Sequence, residues 1–330
     1  MDKTSKIFIA GHGGMVGSAL VKKLKAEGFE NLLLRSSVEL DLRTQKSVED
    51  FFTTERPEYV FLAAAKVGGI IANSTRKGEF IYDNLMIQTN VIHNASNFGV
   101  KRLLYLGSTC IYPKLAPQPI KEEYLLTGPL EPTNDAYAIA KIAGIVQCRS
   151  YNEQYGTRFL CAMPNNLYGP NDNFDLTNSH VLPALIRKFH EAKESGAETV
   201  TVWGSGSPLR EFMHVDDLAE ACVFLMNQPE QIYSSLLTYP QAPALINVGS
   251  GQEVSIADLA EIVKRTVGFD GEIVFDTTKP DGTPRKLADS SRLLSLGWQH
   301  RIDLEEGLVD AYSWFLTSTA KENGNHGAKT

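Results

Sequence analysis

Five side chains carry the chemistry that this chain could perform. Tyr137 and Lys141 stand at i and i+4 in a helical pattern, so both project from one face. A phenol, with an ordinary pKa near ~10, is a poor proton shuttle at neutrality. A nearby ammonium favours the phenolate and makes the tyrosine usable as acid and base. Ser108 closes a strand-like run in Gly107-Ser108-Thr109-Cys110, where the C-terminal ends of parallel strands line a ligand crevice. Cys110 follows two residues later. A free cysteine is more often a small buried apolar residue, yet its thiolate is also a base. His180, in Asn178-Ser179-His180-Val181, sits where a loop meets a helix. A lone histidine there is more often a hydrogen-bonded surface group, although an imidazole suits proton donation and abstraction near neutral pH.

A second constellation reads as a phosphate cradle. Gly11-His12-Gly13-Gly14-Met15-Val16-Gly17 follows the first strand and opens the first helix. Its GxxGxxG spacing gives a tight turn at Gly11, backbone approach to a pyrophosphate at Gly14, and close helix–strand packing at Gly17. The orphan N–H groups and positive end of the helix then face the anion. The second strand ends in Leu34-Arg35-Ser36-Ser37. NAD sites place an acidic residue there for the ribose hydroxyl, and Arg35 instead favours the 2′-phosphate of NADP. Asp41, in Leu40-Asp41-Leu42, is placed to reach the adenine edge.

The elements that must hold these residues are legible in the first half. Apolar runs at 6–10, 31–34, 59–63, 102–106 and 158–163 alternate with helical patterns at 15–27, 45–55, 81–97 and 136–155. That alternation predicts an α/β fold, a doubly wound parallel sheet of the Rossmann type, with a second, smaller mixed α/β lobe. Helices are expected at 182–195, 216–226 and 256–267, and strands at 199–203, 245–248 and 273–275. We expect residues 1–164 to form the cofactor domain, with returns at 213–250 and 288–316, and 165–212 with 251–287 to form the substrate domain. The polar tail at 317–330 reads as disordered. With 32 Lys and Arg against 39 Asp and Glu, the net charge of −7 disfavours general nucleic-acid or anionic-membrane binding. No apolar run is long enough to span a membrane, and the N-terminus leads straight into a strand, leaving no room for a signal peptide. Cys110, Cys148, Cys161 and Cys222 show neither CxxC spacing nor a disulfide framework, so a reducing, cytoplasmic setting without a metal site is expected.

Together these stretches resemble the extended short-chain dehydrogenases/reductases that act on nucleotide sugars, and among them the epimerase-reductases of GDP-L-fucose formation. Ser108, Tyr137 and Lys141 match that superfamily's triad. The similarity runs from about residue 6 to about residue 316, and Gly107-Ser-Thr-Cys-Ile-Tyr-Pro-Lys is its most specific part. Further matches are Ala63-Ala-Ala-Lys-Val-Gly-Gly, Asn166-Leu-Tyr-Gly-Pro-Asn-Asp-Asn-Phe, Arg210-Glu-Phe-Met-His-Val-Asp-Asp and Lys279-Pro-Asp-Gly-Thr-Pro-Arg-Lys. The resemblance implies epimerisation at C3 and C5 of GDP-4-keto-6-deoxy-D-mannose, then NADPH reduction of the C4 ketone. Cys110 would be the base and His180 the acid. Tyr137 would protonate the C4 oxygen, with Lys141 tuning it and Ser108 hydrogen-bonding the same oxygen.

The resemblance also implies NADP(H) contacts at Leu106, Gly107, Pro164, Asn165, Asn166, Leu167 and His180, and GDP-sugar contacts at Lys188, Trp203, Arg210 and Asp281. Many relatives carry Arg where this chain has Gly13, and a second basic residue where it has Ser37, which leaves Arg35 as the main ligand for the 2′-phosphate. In the superfamily the helices matching 81–97 and 136–155 pair into a four-helix homodimer interface. Two other readings stay open on the residues alone: an enzyme of the same superfamily acting on another nucleotide sugar, either a 4-epimerase that retains NAD or a reductase, and a non-catalytic dinucleotide-sensing module.

Overall fold

The computed structural model describes residues 1–176, 179–279 and 281–327. The first half runs β1 (Ile7–Ala10), α1 (Met15–Ala26), β2 (Leu32–Leu33), α2 (Gln45–Glu55), β3 (Tyr59–Leu62), α3 (Ile70–Thr75), α4 (Lys77–Asn97), β4 (Arg102–Leu106), α5 (Asp135–Tyr155) and β5 (Phe159–Pro164). The second begins with β6 (Asn166–Tyr168), α6 (Val181–Ser195), β7 (Thr199–Trp203), β8 (Leu209–His214), α7 (Val215–Met226) and α8 (Glu230–Leu237). It continues through β9 (Leu245–Val248), β10 (Glu253–Ser255), α9 (Ile256–Val267), β11 (Glu272–Asp276), β12 (Arg285–Lys286), α10 (Ser291–Ser295) and α11 (Leu304–Gly327).

The main sheet is parallel throughout, in the order β2-β1-β3-β4-β5-β9. Its strands are apolar on both faces because helices cover both. In β1, Phe8 and Ala10 enter the core beneath α2, α4 and α5, whereas Ile7 and Ile9 enter the core beneath α1 and α7. Leu103 and Tyr105 of β4 divide from Leu104 and Leu106 in the same way. The chain leaves β1 for β2 on one side and returns to β3 on the other, which puts the crevice of a doubly wound sheet at the end of β1.

The second half builds a four-stranded sheet in which β8 is central. It pairs with β10 and β12, and β6 also pairs with β8. β7 and β11 form a separate parallel pair. Helices α6 and α9 close over these strands through Leu185, Ile186, Phe189, Leu259 and Val263. Leu293 and Trp298 pack into the first-lobe core, but Leu308, Ala311 and Phe315 of α11 belong to the second-lobe core, so packing does not join 304–316 to the cofactor domain. Helix α11 enters the tail expected at 317–330, where the Thr317, Ser318 and Thr319 hydroxyls bond carbonyls within the preceding turn. The last three residues of that expected tail lie outside the described ones.

Candidate active site

The glycine loop has no spare volume at two of its glycines. Gly11 adopts φ +87°, and a Cβ there would lie 2.7 Å from the Ala64 nitrogen, where the turns after β1 and β3 meet. A Cβ on Gly17 would stand 2.0 Å from the Gly11 oxygen. Gly13, by contrast, has nothing within 4 Å of that point. Helix α1 starts after Gly14 with no side-chain cap, so its first-turn N–H groups are left for an anion. These features fit a dinucleotide pyrophosphate. Met15 and Val16 rest half-buried on the core beneath α1, and the buried Nδ1 of His12 has no partner among the described residues.

The two predicted adenosine-end residues are both engaged. Arg35 donates to Glu55 of α2 at 2.6 Å and to the Leu34 carbonyl at 2.9 Å, with its guanidinium 5.8 Å from the Phe51 ring centre. Arg43 takes both oxygens of Asp41, with Nε and Nη2 each at 2.9 Å, and this pairing holds the Asp41 carboxyl below its usual range. Asp41 therefore acts as a brace for the loop after β2.

The catalytic candidates converge where β4 ends. A Cβ on Gly107 would strike the Met163 thioether, so the chain passes close to β5 there. Ser108 is extended, and its Oγ accepts from the Cys110 N–H at 3.4 Å, capping a single helical turn, Thr109–Ile111. That cap fixes the thiol two residues past the serine. From α5, Lys141 donates to the Leu106 carbonyl at 2.7 Å, and its ammonium lies 4.8 Å from the Tyr105 ring centre and 5.8 Å from that of Tyr137. Tyr105 donates to Gln88 Oε1 at 2.6 Å, and Gln88 in turn donates to the Ala140 carbonyl at 2.6 Å. A side chain at residue 144 would collide with Tyr105, which explains Gly144. The lysine thus has one buried hydrogen bond, to the end of β4, and lies beside a tyrosine ring that Gln88 fixes to α5.

Burial governs the titration of this group. It raises the pKa of Tyr137, with Cys110 adding to the effect, and lowers that of Lys141 to about 8. It also raises the Cys110 thiol, against smaller opposing effects of Lys286, Ser108 and Lys141. The expected lowering of the Tyr137 pKa is not seen in this chain, because burial in low-polarity surroundings penalises the phenolate.

The second lobe carries the remaining candidates. His180 precedes α6 with its side chain making no cap, keeps an exposed face, and has its pKa lowered by surrounding protein and by Lys286. Asn165 is buried beside Glu211, Asn166 donates to the Glu211 carbonyl at 2.8 Å, and Pro164 and Leu167 flank them at the end of β5 and in β6. Lys188 reaches the Thr201 carbonyl at 3.3 Å, 5.4 Å from the ring centre of Trp203, which is 57% exposed and open for stacking. Arg210 bonds only the neighbouring Leu209 carbonyl, at 2.7 Å, among the described residues. Asp281 is not free: it accepts from Ser205 N–H at 2.8 Å and Ser205 Oγ at 2.7 Å, and so closes the Gly204–Gly206 turn.

Lys286 closes the stretch Lys279-Pro-Asp-Gly-Thr-Pro-Arg-Lys that carries part of the resemblance, although no role was expected for it, and β12 places it opposite Arg210.

A family model described as "NAD dependent epimerase/dehydratase family" matches residues 7–249. GDP-L-fucose synthase 1 of Arabidopsis thaliana is 61% identical over 315 residues, covering 96% of this chain and 94% of that protein. GDP-L-fucose synthase of Escherichia coli strain K12 is 53% identical, covering 97% and 99%. Among solved structures, the GDP-mannoheptose C4 reductase MlghC of Campylobacter jejuni, with NADP bound, is 44% identical and superposes with a TM-score of 0.87 over 96% of this chain and 99% of that one.

Proposed function

The chain belongs to the NAD dependent epimerase/dehydratase family, and from that premise we propose that it converts GDP-4-keto-6-deoxy-D-mannose to GDP-L-fucose with NADPH. The observation that carries this reading is a thiol, Cys110, set by the Ser108 cap within one apolar cluster with Tyr137. That shared cluster supports a reading in which proton abstraction beside a ketone and protonation of its oxygen occur at one spot.

Bound NADPH supplies the hydride for C4. Cys110 removes the proton at C3 or C5, which the C4 ketone makes acidic, and His180 returns one on the other face and inverts the centre. Ser108 and Tyr137 hold the C4 oxygen, and Tyr137 gives it a proton in the reduction, with Lys141 fixed behind it. Arg35 and the glycine loop hold the cofactor. Arg210 and Lys188 take the diphosphate, and Trp203 offers a face for stacking.

We read the enzyme as cytoplasmic, in keeping with four free, buried cysteines; among the described residues no helix is long and apolar enough to cross a membrane. We also propose a homodimer through α4 and α5, on which Tyr82, Ile139 and Tyr155 are exposed apolar side chains. The test is NADPH oxidation with GDP-4-keto-6-deoxy-D-mannose, followed by analysis of the sugar. GDP-L-fucose is the expected product. A 4-keto sugar reduced without inversion would overturn the epimerase half.

A further inference from the structure

Lys141 is a buried ammonium without a counter-ion. It is 3% exposed, and among the described residues no carboxylate pairs with it. A buried lysine is ordinarily held by an ion pair, because taking its charge out of water is costly. The groups that touch this one are the Leu106 carbonyl, which accepts from Nζ at 2.7 Å, and two aromatic rings, with Nζ 4.8 Å from the ring centre of Tyr105 and 5.8 Å from that of Tyr137. The titratable groups that face it are Tyr105 on β4, Cys110 in the turn after β4, Tyr137 on α5 itself and Cys161 on β5. All are phenols or thiols.

Of the two rings, Tyr137 is the reacting one. Tyr105 has no part in the chemistry described above, yet its ring is nearer the ammonium and is fixed on several sides. It is fully buried, its hydroxyl donates to Gln88 Oε1 at 2.6 Å, and Gln88 of α4 donates to the carbonyl of Ala140, the residue before Lys141, at 2.6 Å. About one turn of α5 beyond Lys141, a Cβ on Gly144 would lie 2.7 Å from the Tyr105 ring carbon that bears the hydroxyl. Helix α5 therefore rests on this ring, and the ring cannot turn away from the lysine. An aromatic face within about 6 Å attracts a cation through its quadrupole, more strongly out of water. Burial raises the pKa of the Tyr105 phenol, so the ring stays neutral where the lysine titrates.

We infer that Tyr105 is a positioning residue for Lys141: its fixed ring takes the place of a counter-ion and holds the ammonium, still charged, on the Leu106 carbonyl beside Tyr137. Burial brings the lysine down to about 8, and the ring opposes a further fall. When the C4 oxygen takes the proton of Tyr137, the phenol O–H bond breaks and its electron pair stays on the phenolate oxygen. The nearby ammonium balances that charge and keeps its own proton. The part in reduction rests on the function proposed above, whereas the charge on the lysine does not.

NMR of protein carrying carbon-13 lysine follows the titration of Lys141 without substrate, its signal being the one lost in Lys141→Met. Tyr105→Leu should lower the midpoint by about one pH unit, within the range of a desolvated cation on an aromatic face. Tyr105→Phe, which keeps the ring, should stay near the wild type. Fluorinated phenylalanines in place of Tyr105 keep the ring shape and drain its face of negative charge, so each added fluorine should lower the midpoint further. Should the Leu variant not fold, the Phe variants decide. A wild-type midpoint in folded Tyr105→Leu, a Phe variant shifted as far as Leu, or a fluorine series with no trend overturns the inference. With the keto sugar, the alkaline fall in kcat for NADPH oxidation should move down in pH by the same amount, with KM little changed. A fall that stays in place while the NMR midpoint moves would overturn the part assigned in reduction.

Discussion

Lys141 shows how burial, charge and pH are linked at a single residue. Its pKa falls from 10.5 to about 8 because the folded chain surrounds the ammonium with protein. Between those values the unfolded lysine holds a proton that the folded one has lost, so stability rises with pH across that window. Below it both states are protonated and the cost of burial is constant. Lys141→Met removes this dependence. The unfolding free energy of the wild type minus that of the variant should climb by on the order of 1–3 kcal/mol from pH ~8 to ~10.5. A flat difference in denaturant titrations would show that Lys141 titrates at its ordinary value. Two neighbours separate the two chemistries. Cys110→Ser should abolish deuterium uptake at C3 and C5, since a serine hydroxyl is a far weaker base. Tyr137→Phe should slow NADPH oxidation and leave that exchange measurable. Arg35 offers a third test. Its pairing with Glu55 at 2.6 Å competes with a cofactor phosphate, so Glu55→Gln should raise the ratio of NADPH to NADH kcat/KM a few-fold. An unchanged ratio would mean that Arg35 does not meet the phosphate.

At the level of elements, the glycine loop behaves as its spacing predicts. Gly17→Ala forces a methyl group onto the Gly11 carbonyl, and NADPH affinity measured by fluorescence titration should fall at least tenfold, about 1.4 kcal/mol. The open space at Gly13 allows the opposite experiment: Gly13→Arg should raise the NADPH preference about tenfold, the low end of a charge-assisted hydrogen bond. Wild-type affinity in the first variant, or wild-type preference in the second, would count against this loop as the pyrophosphate site. The loop, the first-half strands and helix α5 were readable because short-range rules decide them: apolar runs between helical periods, and glycine where no Cβ fits. The pattern starts α4 at 81, four residues after its first residue Lys77, since Gly78 interrupts the pattern at a point that the helix tolerates. Strands β6 and β12 left no signal. Each is two or three residues long and exists by pairing with β8, Leu209 with Arg285 for example, across a separation that periodicity does not report.

The whole molecule decides what neither scale could. Asp41 and Asp281 look like ligands in the sequence, and the fold also gives each an intramolecular partner, Arg43 and Ser205, that orients its carboxylate. Lys286 carries no positional signal of its own in the sequence, and the fold sets it opposite Arg210 in the second-lobe sheet. The assembly should follow the same logic: light scattering at micromolar concentration should give twice the chain mass, and a charge placed on the outer face of α5, Ile139→Glu, should reduce it to a monomer that retains its helical signal. A dimer that survives Ile139→Glu would move the interface elsewhere. The seam of backbone bonds joining Ile120 to Leu287 and Asp289 has a consequence in time as well as in space. A hinge that opened the cleft at this edge would have to break those bonds, so the amides of Ile120 and Asp289 should exchange with solvent deuterium as slowly as those of the central sheet. Substrate would then enter and leave past a wall that stays shut for as long as the protein stays folded.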